Sequence, residues 1–230
     1  VIDKDWTVFK DFAVKEIFAG IKKTLDLLDV EFDEYFNELS LFEKGKKGHI
    51  WEVLRKLEQK GVVSRKEGAV WLVPSEKVLV RSTGEPTYRL PDIAYHVHKL
   101  QLGYEKIINV LGADHIAQFP DVKFAVRALG FDDAKIEVVI NQFVTLAGKK
   151  MSTRKAAYVT LDELISEVGV DVTKFFMLMS APSSHMNFDL GLAKDTSEEN
   201  PVFRVQYAHA RISSILKKAG NNPLHLPLTK

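Results

Sequence analysis

Apolar residues first recur at helical spacing near the start of the chain. Ile17, Ile21, Leu25 and Leu28 fall on one side of a helix and predict a single apolar face. A second, shorter helix is predicted around Ile50, Val53, Leu54 and Leu57. The apolar run Ala69-Val70-Trp71-Leu72-Val73, ended by Pro74, predicts a strand, and so does Lys77-Val78-Leu79-Val80-Arg81. Ser82-Thr83-Gly84-Glu85-Pro86 is a turn cluster. A helix is expected after Pro91, with Ile93, Val97 and Leu100 facing inward. Ile107-Ile108-Asn109-Val110-Leu111, ending at Gly112, predicts a strand buried on both faces, as in a parallel sheet. Val122, Ala125, Val126 and Leu129 predict a helix, and Ile136 to Ile140 another strand. Strand, helix and strand in this order make a βαβ unit.

Beyond a basic loop at 149–155, Thr160-x-x-Glu163 has the form of a capping box. Asp171 is expected to cap a helix containing Phe175, Phe176 and Leu178. Pro201 suits the first turn of a last helix through Val205, Ala208, Ile212 and Leu216. The Phe175–Phe176 pair reads as core. The pattern divides the chain into a mostly helical segment with a small β element (1–75), an α/β segment (76–199) and the start of a helical segment (200–230).

Composition narrows the class. With 230 residues and 46% hydrophobic content, the chain can fill a core. No apolar run reaches the roughly 20 residues that span a bilayer. The absence of cysteine excludes disulfides and thiolate metal sites and suits a reducing compartment such as the cytoplasm. Thirty-two basic against 31 acidic residues give a net charge of +1, so any polyanion site must be local. The chain opens on Val1 and runs directly into a helical pattern, which leads to the expectation that it is a segment of something longer.

Three places carry candidate chemistry. Gly112-Ala113-Asp114-His115 follows a predicted parallel strand, where ligands of α/β folds bind. Glycine there permits close approach to a ligand, and the carboxylate can accept hydrogen bonds from ribose hydroxyls; the same residues also make an ordinary turn, with a structural histidine. Gly148-Lys149-Lys150-Met151-Ser152-Thr153-Arg154-Lys155 concentrates four cations after the last sheet strand. It reads either as a clamp for transferring phosphoryl groups or as a solvated loop. Lys44, Lys46 and Lys47, beside Gly45 and Gly48, read as a solvated loop or a nucleic-acid backbone contact. His96 and His98 diverge on a helix and make a poor metal pair, so no metal site is expected.

The order Lys150-Met151-Ser152-Thr153-Arg154 resembles the Lys-Met-Ser-Lys-Ser loop of class I aminoacyl-tRNA synthetases, and Gly112-x-Asp114-His115 is similar to their ribose-side motif. Three longer stretches resemble the arginyl-tRNA synthetases. They are Val30-Glu31-Phe32-Asp33 with Glu38-Leu39-Ser40-Leu41; Val78 to Tyr88 with Asp92-Ile93-Ala94-Tyr95; and Asn200-Pro201-Val202-Phe203 with Gln206-Tyr207-Ala208-His209-Ala210-Arg211. They run in family order and cover about 30 to 216.

The resemblance implies the second half of a Rossmann-like nucleotide-binding domain with a parallel sheet. It also implies a mostly helical inserted segment before it and the start of an α-helical anticodon-binding domain after it. It implies an arginine–tRNA ligase that makes arginyl-adenylate from arginine and ATP and transfers arginine to tRNA(Arg). ATP is then a substrate, with Mg2+ expected beside it, and a cytoplasmic, non-membrane protein is expected, a monomer favoured. By matching position, Tyr88, Asp92 and Gln118 bind arginine; the pairing of a carboxylate with guanidinium and of an aromatic face with a cation agrees. The lesser alternative for Asp92 is a helix cap after Pro91. Gly112, Asp114 and His115 face the adenylate ribose, and Phe143 and Val144 set backbone beside adenine. Lys150, Met151, Ser152 and Arg154 serve the nucleotide, with Lys150, Ser152 and Arg154 catalytic.

The loop departs from the broader pattern at Thr153, where the class has a second lysine, and at Ala156 and Ala157, where the arginine enzymes carry a glycine after the loop. The His-x-Gly-His-like motif of the class is not among these residues and is expected before Val1, so negligible activity is expected of this chain alone. The alternative is a non-catalytic nucleic-acid-binding or regulatory paralogue. A dinucleotide-binding oxidoreductase is disfavoured by the lack of a Gly-x-Gly-x-x-Gly turn.

Overall fold

Helix α1 (Trp6–Leu27) forms where the helical spacing predicts it. The computed structural model describes residues 6–43, 48–73, 75–146, 149–150 and 159–219. The single buried face expected for α1 is not found among them: Ile17 is 61% and Ile21 45% exposed, and Thr24 is the helix's buried residue. Trp6, Phe9, Phe12, Val14 and Phe18 are also exposed, so apolar side chains go round the cylinder rather than down one stripe. Thr24 donates its hydroxyl to the Asp162 carboxylate.

The described residues divide into two compact units. One comprises Phe32–Phe143 with Pro182–Ser184. Its helix α2 (His49–Gln59) buries Ile50, Val53, Leu54 and Leu57, the predicted stripe. Strands β1 (Val63–Lys66), β2 (Ala69–Leu72) and β3 (Lys77–Val80) form an antiparallel meander. The polar strand β1 was not expected; the turn Glu67-Gly68, both at positive φ, folds it back onto β2. The predicted turn follows β3, closed by the Arg81 N–H donating to the Glu85 carbonyl.

Helix α3 (Arg89–Gln101) begins two residues before Pro91, which the first turn accepts because its missing N–H has no helical partner to lose. Strand β4 (Ile107–Gly112), helix α4 (Phe119–Ala128) and strand β5 (Ile136–Asn141) make the βαβ unit, with β4 and β5 paired in parallel over Ile107–Gly112. Strand β4 departs from expectation: Ile107 and Asn109 are buried, whereas Ile108 and Val110 are 56% and 67% exposed. Among the described residues only one face of this two-stranded sheet is covered, so a continuous apolar run lies half open. The core joins α2, the meander, α3, α4 and β5 through Leu57, Leu72, Leu79, Ile93, Val97, Val126 and Ile136.

The second unit comprises Val1–Glu31, Val144–Ala181 and His185–Lys230. Its sheet runs β7-β6-β8 from strands β6 (Val144–Leu146), β7 (Lys149–Lys150) and, after two helices, β8 (Met186–Phe188); β6 pairs with β8 in parallel and with β7 antiparallel. Helix α5 (Leu161–Val168) carries the predicted capping box, with Thr160 Oγ1 accepting from the Glu163 N–H and the Glu163 carboxylate from the Thr160 N–H. Helix α6 (Val170–Leu178) is not capped by Asp171, which lies inside its first turn. Gly169, at φ 86° and ψ 164°, ends one helix and starts the next, a conformation essentially restricted to glycine. Phe176 is buried and Phe175 packs against the same core, as expected. Helix α7 (Leu190–Lys194) precedes helix α8 (Pro201–Ala219), which has Pro201 in its first turn; its Val205, Ile212 and Leu216 are exposed.

Candidate functional site

The first unit holds a cavity of about 440 Å³ where helix α3 faces the end of strand β4. Tyr88, Asp92 and His96 reach it from successive turns of α3 and the residue before it. Asp114, His115 and Gln118 reach it from the 3-10 segment Ala113–Gln118 that follows β4, with Phe119 and Val122 from α4. Glu38 enters from the 3-10 segment Glu38–Phe42, whose start is capped by Asn37 Oδ1 accepting from the Leu39 N–H.

Asp92 is not a helix cap; Tyr88 holds that position, and the Asp92 carboxylate lines the cavity instead. Burial, then the Glu38 carboxylate, push its pKa above the usual carboxylate value. His96 is buried, and burial followed by the Lys99 charge lower its pKa to about 4, so it lines the cavity as a neutral ring. With Glu38, Asp92 and Asp114 present, the wall is acidic. Gln118 Oε1 is buried and, among the described residues, has no hydrogen-bond partner. An unmatched buried acceptor beside carboxylates suits a ligand with several N–H donors. Tyr88 is 82% exposed and flanks the opening.

The absence of a side chain at 112 gives the Asp114 carboxylate its place. A Cβ on Gly112 would stand 2.6 Å from Asp114 Oδ1, because that carboxylate folds back over the strand end. His115 Nε2 is 3.7 Å from Asp114 Oδ2. The structure thus brings Tyr88, Asp92, Asp114, His115 and Gln118 to one cavity, next to Gly112.

The other expected residues lie elsewhere. Phe143 follows β5, and Val144 opens β6 in the second unit. The basic loop follows β6, a strand the apolar pattern had not separated from β5; Lys149 and Lys150 pair with it as β7. Met151, Ser152, Thr153, Arg154, Lys155, Ala156 and Ala157 lie outside the described residues, as do Lys44, Lys46 and Lys47. Glu38 and His96 were missed as cavity residues. Glu38 carries a signal in the sequence, as an acid within one of the resembling stretches; His96 reads there only as half of a poor metal pair. No group of three or more His, Cys, Asp or Glu among the described residues could hold a metal. No helix among them is long and apolar enough to cross a membrane.

Comparison with known proteins gives the chain its relatives. Residues 2–177 match the family model for the catalytic domain of class I tRNA synthetases (R). A protein named arginine–tRNA ligase from Desulfotalea psychrophila is 49% identical over 228 residues, covering 95% of this chain and 41% of its own length. Another of that name, from Chlorobium limicola, is 50% identical over 232 residues, covering 95% and 42%. Among solved structures, a Campylobacter jejuni protein assigned as an arginyl-tRNA synthetase superposes with a TM-score of 0.82 at 29% identity, over 95% of this chain and 49% of that one. The Thermus thermophilus arginyl-tRNA synthetase shares the fold, with a TM-score of 0.76 at 23% identity over 91% of this chain. The chain spans about two fifths of the length of the curated relatives it matches.

Proposed function

Because the chain belongs to the family of class I tRNA synthetases (R), through their catalytic domain, we propose that its acidic cavity holds the side chain of arginine in an arginine–tRNA ligase. The carrying observation is the cavity's chemistry. Carboxylates of Glu38, Asp92 and Asp114 surround a space bordered by a neutral imidazole and a buried, unpartnered amide oxygen. A guanidinium is the side-chain cation that uses such a wall fully: it is planar, always charged and presents five N–H donors.

In this reading Asp92 pairs with the guanidinium, Gln118 Oε1 accepts one of its N–H groups and Tyr88 lays its ring against the cation. Gly112, Asp114 and His115 receive the ribose of ATP, and the backbone of Phe143 and Val144 flanks adenine. The arginine carboxylate attacks the α-phosphorus of ATP, pyrophosphate leaves, and the terminal ribose hydroxyl of tRNA(Arg) then takes arginine and releases AMP. Lys150, Ser152 and Arg154, with Met151 beside them, neutralise the charge that develops on the phosphates. Mg2+ accompanies ATP as its counterion. The segment to about residue 75 is an insertion, and α8 begins the anticodon-binding domain. The 230 residues contain no His-x-Gly-His-like stretch, so this chain alone is expected to give negligible arginine-dependent ATP–pyrophosphate exchange; robust exchange refutes that. A crystal structure with arginine and an ATP analogue tests the pocket: Asp92 is expected within about 4 Å of the guanidinium, and a greater separation removes the assignment.

A further inference from the structure

Behind the cavity wall lies a polar cluster that the proposed chemistry does not use. His96 Nδ1 is 2.7 Å from the Asp92 carbonyl, an oxygen that can only accept, so Nδ1 carries the proton. In the neutral ring Nε2 is then an acceptor. It lies 3.1 Å from Asn109 Oδ1, itself an acceptor whose amide nitrogen donates to the Glu137 carbonyl at 3.3 Å. Two acceptors at that distance need a donor between them. The Lys99 ammonium supplies it, 2.6 Å from Asn109 Oδ1 and 3.4 Å from His96 Nε2, with the Tyr95 ring 4.5 Å from its nitrogen.

The cluster therefore ties three elements together: α3, which bears Asp92; β4, which ends at Gly112; and β5, through its backbone. The charged and titratable groups around His96 are Asp92, Tyr95 and Lys99 on its own helix and Glu38, Asp114 and His115 across the cavity; β4 presents the neutral Asn109, and α4 the Phe119 ring at 5.5 Å. On its far side Lys99 borders a second cavity of about 260 Å³ with Asp33, Glu34, His98 and Tyr104.

We propose that Lys99 is a positioning residue for the arginine pocket: seated on Asn109 Oδ1 and His96 Nε2, its ammonium holds His96 as the neutral Nδ1–H tautomer, so the cavity lining beside Asp92 presents a neutral ring and no imidazolium, while the ammonium stays outside that lining. This rests on the arginine reading for its consequence, but the proton arrangement stands apart from it. A His96 imidazolium would sit one helical turn from Asp92 and neutralise the acidic wall from inside. Lys99 opposes that twice, by electrostatic repulsion and by occupying the acceptor, Asn109 Oδ1, that a charged ring would need. Burial lowers the Lys99 pKa to about 8, with Asp92 opposing, so the ammonium is present at neutral pH and is lost above that value.

The test is nitrogen NMR of the imidazoles in the 230-residue chain, with the His96 signals identified by their loss in His96→Gln. In the wild type, His96 is expected as the neutral Nδ1–H form from pH 8 to 5, with its Nε2 shift moving near pH 8 as Lys99 discharges. In Lys99→Met its protonation midpoint is expected to rise by about one pH unit or more, the effect of removing a cation at this range. Lys99→Arg, which keeps the charge, is expected to keep His96 neutral and to lose the step near pH 8, and this holds the test open if Lys99→Met does not fold. A charged or Nε2–H ring in the wild type, or a midpoint unmoved in Lys99→Met, overturns the proposal. In a parallel titration, Lys99→Met is expected to lose arginine affinity about four-fold between pH 8 and 4.5, beyond any wild-type loss, because a His96 midpoint raised from about 4 to about 5 leaves most of the ring charged at pH 4.5. Equal losses overturn the link to the pocket. A wild-type chain that binds no arginine, yet shows the predicted His96 behaviour, refutes the functional reading and not the proton arrangement.

Discussion

Replacing Arg89 by methionine leaves one carboxylate stranded. Arg89 Nε donates to Asp121 Oδ2 at 3.1 Å; the Asp121 side chain is 9% exposed and that of Arg89 26%. Removing one partner of a buried ion pair costs about 3–5 kcal/mol, because the remaining charge is dry and uncompensated. Water reaches the arginine side of this pair and screens it, which brings the expected loss down to about 2–3 kcal/mol. The pair joins α3, just before Asp92, to the first turn of α4, just after Gln118, so it braces two walls of the cavity. Urea unfolding followed by tryptophan fluorescence measures the loss. Trp51 and Trp71 report this unit once Trp6, which belongs to the other, is replaced by phenylalanine. With a denaturant slope of about 1–3 kcal/mol/M, the midpoint should fall by about 0.7–3 M. Arg89→Met combined with Asp121→Leu should recover much of it, since an apolar pair of similar volume replaces a buried ion pair at little cost. A loss under about 0.5 kcal/mol, the range of ordinary surface changes, refutes the reasoning.

Other outcomes follow from the same geometry. The Asp92 pKa is raised in the folded chain, so its ionised form is disfavoured there; Asp92→Asn should stabilise the ligand-free protein at pH 7, the gain fading as the pH falls towards the ordinary value of 3.8, as thermal melts across pH will show. Gly169→Ala places a Cβ at φ 86° and should lower stability by about 1–3 kcal/mol by chemical denaturation, whereas Gly61→Ala, also at positive φ but with the more accessible turn backbone, should cost less. Gly112→Ala should displace the Asp114 carboxylate, which stands 2.6 Å from the new methyl, and weaken binding of an adenylate analogue in calorimetry without unfolding the chain.

Local patterns account for what was legible in the sequence. Helix α2 has its four core residues on one stripe, and the Thr160–Glu163 capping box is a contact between near neighbours. The βαβ unit announced itself through two apolar runs flanking a helical one. Burial was harder to read, because it depends on what covers a face rather than on the face itself. Ile108 and Val110 are as apolar as Ile107, yet stand exposed, and α1 is apolar on several sides with little packed against it. Asp171 lost its capping role to Gly169, whose positive φ lets α5 turn directly into α6. In the site, Asp92, Gln118, Asp114 and His115 were found by resemblance and meet at one cavity. Glu38 joins them only through tertiary folding, arriving from a distant segment, whereas His96 sits one helical turn beyond Asp92 on α3, where its spacing from His98 reads only as a poor metal pair.

The central claim is that the acidic cavity recognises a guanidinium through Asp92. Calorimetric titration of this chain with L-arginine and with L-citrulline, its neutral isostere, tests it most directly, in the wild type and in Asp92→Asn. A charge-assisted pair worth about 1.5–3 kcal/mol predicts that the wild type prefers arginine by about ten-fold or more and that Asp92→Asn largely removes the preference. Equal affinity for the two ligands in the wild type, or a preference that survives in Asp92→Asn, contradicts the account.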